Sequence, residues 1–331
     1  YKVVVVYTYD LNDGKGSQNI EVESTFKTLK VTPSVSVEAN VTTNSISVIP
    51  SEVDSDNAGS ISKVELYLNN ELVKSLTEGY VFGELYSNTT YTVKVYYTYN
   101  VNDGDKESVV EKTYTTSANA IPSVDLELTS GKNKVGYEVS TEAGATVTKV
   151  ELIKNTTALY SKDTLEGEFV GLLSNTTYTV RVTYTYDLAD GKGQQSAYVS
   201  NTIATLSLSA PTVGVSITGN SATNLSGSVI VSDVDNTYEL VSVKLYQGEN
   251  LIATELTSDF SFVTVANTEY KIVVAYTYDL NDGNSEISSE YSINITSSKM
   301  VPTIVASIGS VSSSTAKLNI NVTDINSVGS I

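Results

Sequence analysis

Apolar and polar residues alternate at every second position along much of this chain, and the alternation returns at a fixed interval. Tyr91, Val93, Val95, Tyr97 and Tyr99 fall on one side of an extended segment, with Thr92, Lys94, Tyr96 and Thr98 on the other. The row recurs as Tyr178, Val180, Val182, Tyr184 and Tyr186, and as Tyr270, Ile272, Val274, Tyr276 and Tyr278. Tyr1, Val3, Val5, Tyr7 and Tyr9 open the chain with the same row. A period of two sends successive side chains to opposite faces, so each row predicts a strand with one buried face. Each apolar member buried contributes roughly 1.5–3 kcal/mol, which puts this strand at the centre of its core. No segment carries a helical stripe or a capping box. Short strands separated by turns predict an antiparallel β-sandwich.

The interval is set by proline. "TPSVSVEA" at Pro33 returns as "IPSVDLEL" at Pro122, "APTVGVSI" at Pro211 and "VPTIVASI" at Pro302, at spacings of 89, 89 and 91 residues. Self-similarity at a fixed period marks a repeat architecture. Residues 31–119, 120–209 and 210–299 read as three whole repeats. Residues 1–30 read as the last part of a repeat and residues 300–331 as the first part of another. A third of such a unit cannot bury its own core, so flanking sequence is expected. Linkers as short as "TSANAIP" (Thr116 to Pro122) predict an extended, semi-rigid array.

"VELYLNNELV" (Val64 to Val73) predicts a hairpin turned at Asn69-Asn70. The strand that follows resembles a fibronectin type III or bacterial Ig-like domain, in which a Leu stands four residues before a Thr and six before a Tyr. Leu85, Thr89, Tyr91, Val93 and Val95 match, as do Leu172, Thr176, Tyr178, Val180 and Val182. Thr268, Tyr270, Ile272 and Val274 match in the third repeat, where Thr264 replaces the Leu. The strand-B tryptophan usual in fibronectin type III is absent, with Ile46 and Val48 in that strand. The resemblance covers nearly the whole chain. It implies an all-β fold of tandem Ig-like sandwiches, with each Tyr a corner whose hydroxyl bonds back upstream.

Composition narrows the chemistry. The 331 residues contain no Cys, His or Trp and a single Arg, Arg181, which removes the usual zinc, iron, copper and haem sites. Ser-His and Cys-His nucleophiles are excluded for the same reason, and no carboxylate pair stands out as a glycosidase site. A net charge of −18 repels phosphate backbones, so nucleic-acid binding is not expected, and no run approaches 18 apolar residues, so no membrane insertion is expected of this segment. It favours divalent cations. Seven Asn-x-Ser/Thr sequons occur among 26 asparagines, about the number chance supplies.

One acidic phrase recurs four times: "YTYDLNDGKG", "YTYNVNDGDK", "YTYDLADGKG" and "YTYDLNDGNS". In a sandwich of this kind it lies between strands F and G. The plain reading is a tight hairpin, with positive φ supplied by Asp13-Gly14, Asp103-Gly104, Asp190-Gly191 and Asp282-Gly283. The sharper reading is structural calcium, although the distal Glu of an EF-hand is missing. B–C and F–G loops share the pole that meets the preceding module, so Asp54, Asp56, Asn57, Asn100, Asn102 and Asp103 would converge there. Asp233, Asp235, Asn236, Asp279, Asn281 and Asp282 form the matching set in the third repeat. "STEAG" (Ser140 to Gly144) breaks the pattern in the second.

The expected role is a non-enzymatic stalk, spacer or filament segment on a microbial cell surface, with no cofactor beyond the calcium considered above. The expected partners are neighbouring modules of the same longer chain. An adhesin or carbohydrate-binding region contacting a host or cell-surface ligand is the alternative. A subunit assembling with like chains is another.

Overall fold

The computed structural model describes residues 1–331 and is entirely β-stranded. The opening segment forms β1 (Lys2–Tyr9) and β2 (Gln18–Thr25). The first whole repeat forms β3 (Ser34–Val41), β4 (Ile46–Val53), β5 (Gly59–Leu68), β6 (Glu71–Leu76), β7 (Val81–Phe82), β8 (Thr90–Asn100) and β9 (Asp105–Thr115). The second forms β10 (Val124–Ser130), β11 (Lys134–Thr141), β12 (Thr146–Lys154), β13 (Thr157–Lys162), β14 (Glu166–Val170), β15 (Thr177–Tyr186) and β16 (Gln195–Ala204). The third forms β17 (Thr212–Asn220), β18 (Asn224–Ser232), β19 (Tyr238–Gln247), β20 (Asn250–Glu255), β21 (Asp259–Val263), β22 (Glu269–Tyr278) and β23 (Ile287–Thr296). The final segment forms β24 (Thr303–Val311) and β25 (Ala316–Thr323).

Each whole repeat builds a three-stranded and a four-stranded sheet. In the first the orders are β3-β4-β7 and β6-β5-β8-β9, and the other two repeat them as β10-β11-β14 with β13-β12-β15-β16, and β17-β18-β21 with β20-β19-β22-β23. In chain order the seven strands are A, B, C, C′, E, F and G. A-B-E faced by C′-C-F-G is the fibronectin type III-like arrangement of the Ig-like sandwich. The Asn69-Asn70 turn joins C to C′ with φ of 52° and 68°, the pair of positive values a two-residue hairpin needs.

The cores follow the alternation. In the first repeat Val37, Ile46, Val48 and Phe82 of one sheet cluster with Val64, Leu66, Tyr91, Val93 and Val95 of the other. In the third, Val213, Leu225, Phe260 and Phe262 meet Val243, Leu245, Tyr270, Ile272, Val274 and Tyr276. In the second, Tyr178, Val180, Val182, Tyr184 and Tyr186 are all buried. The opening row differs, since Tyr1, Val3, Val5 and Tyr7 are exposed. β1 and β2 pair only with each other and have no facing sheet to bury against.

By compactness the chain divides into two units, one of Tyr1–Val124, Thr141–Thr148 and Thr183–Tyr198, the other of Asp125–Ser140, Lys149–Val182 and Val199–Ile331. Each contact between repeats described below lies within one of these units.

The Thr264 substitution has a visible cost. Leu85 and Leu172 fill that position with apolar side chains, whereas the buried Thr264 hydroxyl has no hydrogen-bond partner. Thr264→Leu is expected to stabilise the third sandwich by about 1–2 kcal/mol, because a stranded hydroxyl is replaced by buried hydrocarbon. Urea unfolding checks this, and a lowered midpoint would show that the site cannot accommodate the larger side chain.

Candidate functional site

The turn between strands E and F is fixed three times over. The Tyr91 hydroxyl accepts the Tyr86 N–H at 2.9 Å, Tyr178 accepts Leu173 N–H at 3.1 Å, and Tyr270 accepts Val265 N–H at 2.8 Å. These are the expected tyrosine corners. A second clamp comes from the end of strand G. The Thr116 hydroxyl donates to Tyr86 O at 2.7 Å and accepts Thr89 N–H at 2.9 Å. Thr205 and Ser297 do the same for the second and third repeats. All three hydroxyl residues are buried. They escaped the sequence reading, although a Thr or Ser five or six residues before each next proline was the available signal.

Held from both sides, the E–F turn aims one residue outward. Ser87, only 1% exposed, donates its N–H to Ala189 O at 2.8 Å and its hydroxyl to Leu188 O at 2.6 Å. Asn119 adds a bond to Leu188 O at 2.9 Å. One repeat later, Ser174 donates its N–H to Asn281 O at 2.7 Å and its hydroxyl to Leu280 O. Asn281 Nδ2 returns a bond to Leu172 O at 3.2 Å. The acceptors belong to the F–G phrase of the following sandwich. The residue beside each Ser reaches the phrase's glycine. A Cβ added at Gly191 would stand 3.4 Å from the Tyr86 ring, and one at Gly283 would stand 3.1 Å from Leu173 Cδ1.

The phrase closes as a short hairpin in the first repeat, where the ladder runs to Asn100–Asp105 and leaves residues 101–104, but it is a longer loop in the second and third. Its loop covers residues 187–194 in the second repeat and 279–286 in the third. Two consecutive side-chain turns build it. Asp187 Oδ1 accepts the Ala189 N–H at 2.8 Å, and Asp279 Oδ1 accepts Asn281 N–H at 2.7 Å. Asp190 and Asp282 then accept the N–H two residues beyond themselves, from Lys192 at 3.1 Å and Asn284 at 2.9 Å. Carboxylates that bond backbone two residues on stabilise left-handed conformations locally. Ala189 and Asn281 accordingly have φ of 52° and 48°, in addition to the positive φ of Gly191 and Gly283. The acids shape the loop so that its backbone carbonyls face the preceding E–F turn.

The twelve residues considered for calcium divide between turn-building and linker-holding. Asp54 accepts Ala58 N–H and Gly59 N–H, both at 2.9 Å, and the buried Tyr97 hydroxyl at 2.8 Å. Asp56 accepts Val31 N–H at 2.7 Å, Asn57 O accepts the Lys30 ammonium at 2.9 Å, and Asn102 donates to Thr28 O at 2.6 Å. The B–C and F–G loops therefore do meet the same preceding segment. Asn100 turns back on its own loop to Asn102 N–H, and Asp103 pairs with Lys106. Asp233 accepts Tyr238 N–H at 2.7 Å, while Asp235 binds the Lys132 ammonium and Ser209 N–H. Asn236 takes φ of 54° in that turn. In the second repeat Glu142 takes over, accepting Ser123 N–H at 2.8 Å. No group of three or more acidic side chains gathers in a metal-binding arrangement.

These bonds hold several carboxylates below their ordinary range. For Asp54 the main cause is the Ala58 N–H, for Asp235 the Lys132 ammonium followed by Ser209 N–H, and for Asp282 the Asn284 N–H. Glu65, almost buried beside the Lys63 ammonium, is lowered to about 2, and Glu151 is lowered by Lys149 and then Arg181. The folded chain thus binds fewer protons in acid than the unfolded chain. The stability these groups contribute is complete above the ordinary carboxylate range. It is lost as pH falls through their lowered values, between about pH 4 and pH 2. Urea midpoints are expected to be flat from neutrality to about pH 5 and to fall steeply below pH 4. A midpoint that rises on acidification would contradict the assignment.

Sheet order, tyrosine corners and recurring joints define tandem β-sandwich modules of the fibronectin type III and Ig-like class. No family model matches the chain, and no curated protein matches it in sequence. Among solved structures it is similar to the fibronectin(III)-like modules of Clostridium thermocellum CbhA, at 18% identity over 52% of this chain and 94% of that one, with a TM-score of 0.20. It is also similar to domains A168–A170 of titin, at 10% identity over 81% of this chain and 99% of that one, with a TM-score of 0.24. The fold assignment rests on this chain's own strand order.

Proposed function

We propose that this chain is a structural segment of an extracellular protein on a microbial cell surface, a non-enzymatic stalk, spacer or filament piece whose modules are locked in series. One observation carries this reading: Ser87 and Ser174 dock on the following F–G loop with the same pair of hydrogen bonds. A joint repeated with the same donors and acceptors gives each module a defined orientation to the next, which a spacer of fixed reach needs and a flexible tether does not. The partners are then the neighbouring modules of the chain itself.

Amide hydrogen exchange tests the joints. In dilute solution the Ser87 and Ser174 amides are expected to exchange at least about tenfold more slowly than the Ala266 amide, their counterpart in the third repeat. Equal exchange at all three would mean that the modules move independently, and the spacer reading would fail. Antibody staining of unpermeabilised source cells tests the surface location separately.

A further inference from the structure

The turn between strands A and B closes in the same way in each repeat. Thr42 N–H donates to Ser45 O at 2.9 Å, Gly131 N–H to Lys134 O at 2.9 Å, and Ser221 N–H to Asn224 O at 2.8 Å. In the first two repeats the turn is also tied to the chain leaving strand G. Thr42 O accepts Ser117 N–H and Gly131 O accepts Leu206 N–H, both at 2.9 Å. The next residue differs, being Thr43 in the first repeat, Lys132 in the second and Ala222 in the third. Only the second repeat presents a cation there, and its ammonium binds Asp235 in the B–C loop of the following sandwich.

Asp235 holds two partners at once. Its second oxygen accepts the Ser209 N–H at 2.8 Å, the linker amide two residues before Pro211. Asp56 and Asn326 hold the matching amides of Val31 and Met300, at 2.7 and 2.6 Å. The asparagine shows that an uncharged oxygen suffices for the linker, so the ion pair is a separate contact. The Asp235 side chain is 4% exposed and that of Lys132 is 42% exposed, so the lysine caps a carboxylate that meets little water. The other acids at this pole are already engaged. Asp233 accepts the N–H of Asp235 itself at 3.2 Å, and Asp279 and Asp282 accept Asn281 and Asn284 N–H. At the preceding joint Glu142 accepts Ser123 N–H, and Thr43 has no charge to offer it.

We infer that Lys132 and Asp235 form an acid-released latch between the second and third sandwiches, a device that the joint before it lacks. Protonation removes the charge that holds the ammonium but leaves an oxygen for the Ser209 N–H, as Asn326 does for Met300. Acid therefore frees the B–C loop from the A–B turn while the linker stays in place, which loosens one joint without detaching it. The Lys132 ammonium, followed by the Ser209 N–H, holds the Asp235 carboxyl below its ordinary range. The latch is closed above that range and opens as pH falls through the lowered value. It acts on the locked series proposed above. With it open, the Ser174 bonds have less support and break more often.

The test is amide exchange in the intact 331-residue chain at about pH 5 and about pH 3, read as the Ser174 rate over the Ser87 rate after correction for unstructured exchange. Both joints dock on F–G loops built by two aspartates, so titration of those acids cancels in the ratio. The ratio is expected to rise about twofold to fivefold on acidification, the range of one screened ion pair. Asp235→Asn keeps an acceptor for Ser209 and is expected to show the raised ratio already at the higher pH, with no further response to acid. Lys132→Gln should match it, and core amides report that both variants fold. A ratio that stays fixed between the two pH values, or an acid response that survives in either variant, would overturn the latch. The locked series is judged separately, by protection of Ser174 relative to Ala266 at the higher pH.

Discussion

Phe262→Ala is expected to cost the third sandwich about 3–5 kcal/mol, a large share of the stability a single domain has. Phe262 is 1% exposed, stacks on Phe260 with ring centroids 5.3 Å apart, and lies opposite Leu225 in the sheet register. Truncation leaves a cavity between two sheets whose strands are fixed by their ladders and cannot collapse to fill it. Because the Phe262 cluster contains only third-repeat residues, the loss should stay there. Pulling single chains should show one of three unfolding steps weakened and the other two unchanged. A single cooperative transition lowered as a whole would show that the repeats are not separate folding units.

The second large effect is at a joint. Gly283→Val places a β-branched side chain at φ of 86° and a Cβ 3.1 Å from Leu173 Cδ1. Left-handed backbone costs an ordinary residue about 1–2 kcal/mol, and a β-branched one more. Displacing the loop also gives up the two Ser174 bonds, worth about 1 kcal/mol each. Ser174 exchange is expected to rise to the rate of Ala266 while the sandwich cores keep their protection. Gly14→Val is the control, since it has φ of 84° with nothing near its Cβ. It carries the same backbone strain in a loop away from the joint, so it should leave Ser174 protected. If Gly283→Val also leaves Ser174 protected, the glycine has no part in docking.

Much of the fold was legible because strand faces are set by local alternation. The inward rows around Tyr91, Tyr178 and Tyr270 and the three corners could be read from residues a few positions apart. The Asn69-Asn70 turn was legible for the same reason, since its left-handed conformations are a property of those two residues. The acidic phrase was only half legible. Its positive φ at glycine is local chemistry, but the length of its loop is not, since Asn100, Asp187 and Asp279 all accept the N–H two residues on while the first repeat closes in four residues and the other two in eight. Asp54 shows the same limit, because its oxygens go to Ala58, Gly59 and Tyr97, a tyrosine 43 residues away whose hydroxyl needs a buried acceptor.

The sequence by itself determined that this is an all-β chain of repeated sandwiches, since a period of two and a recurring proline need no long-range information. Only the tertiary structure decided what the repeated acidic phrase and the small residues of the E–F turn are for. Ser87, Ser174, Gly191 and Gly283 look like ordinary loop residues until two sandwiches are placed in contact. The role of the two serines depends on backbone carbonyls about a hundred residues away, and main-chain acceptors leave no signature in side-chain identity.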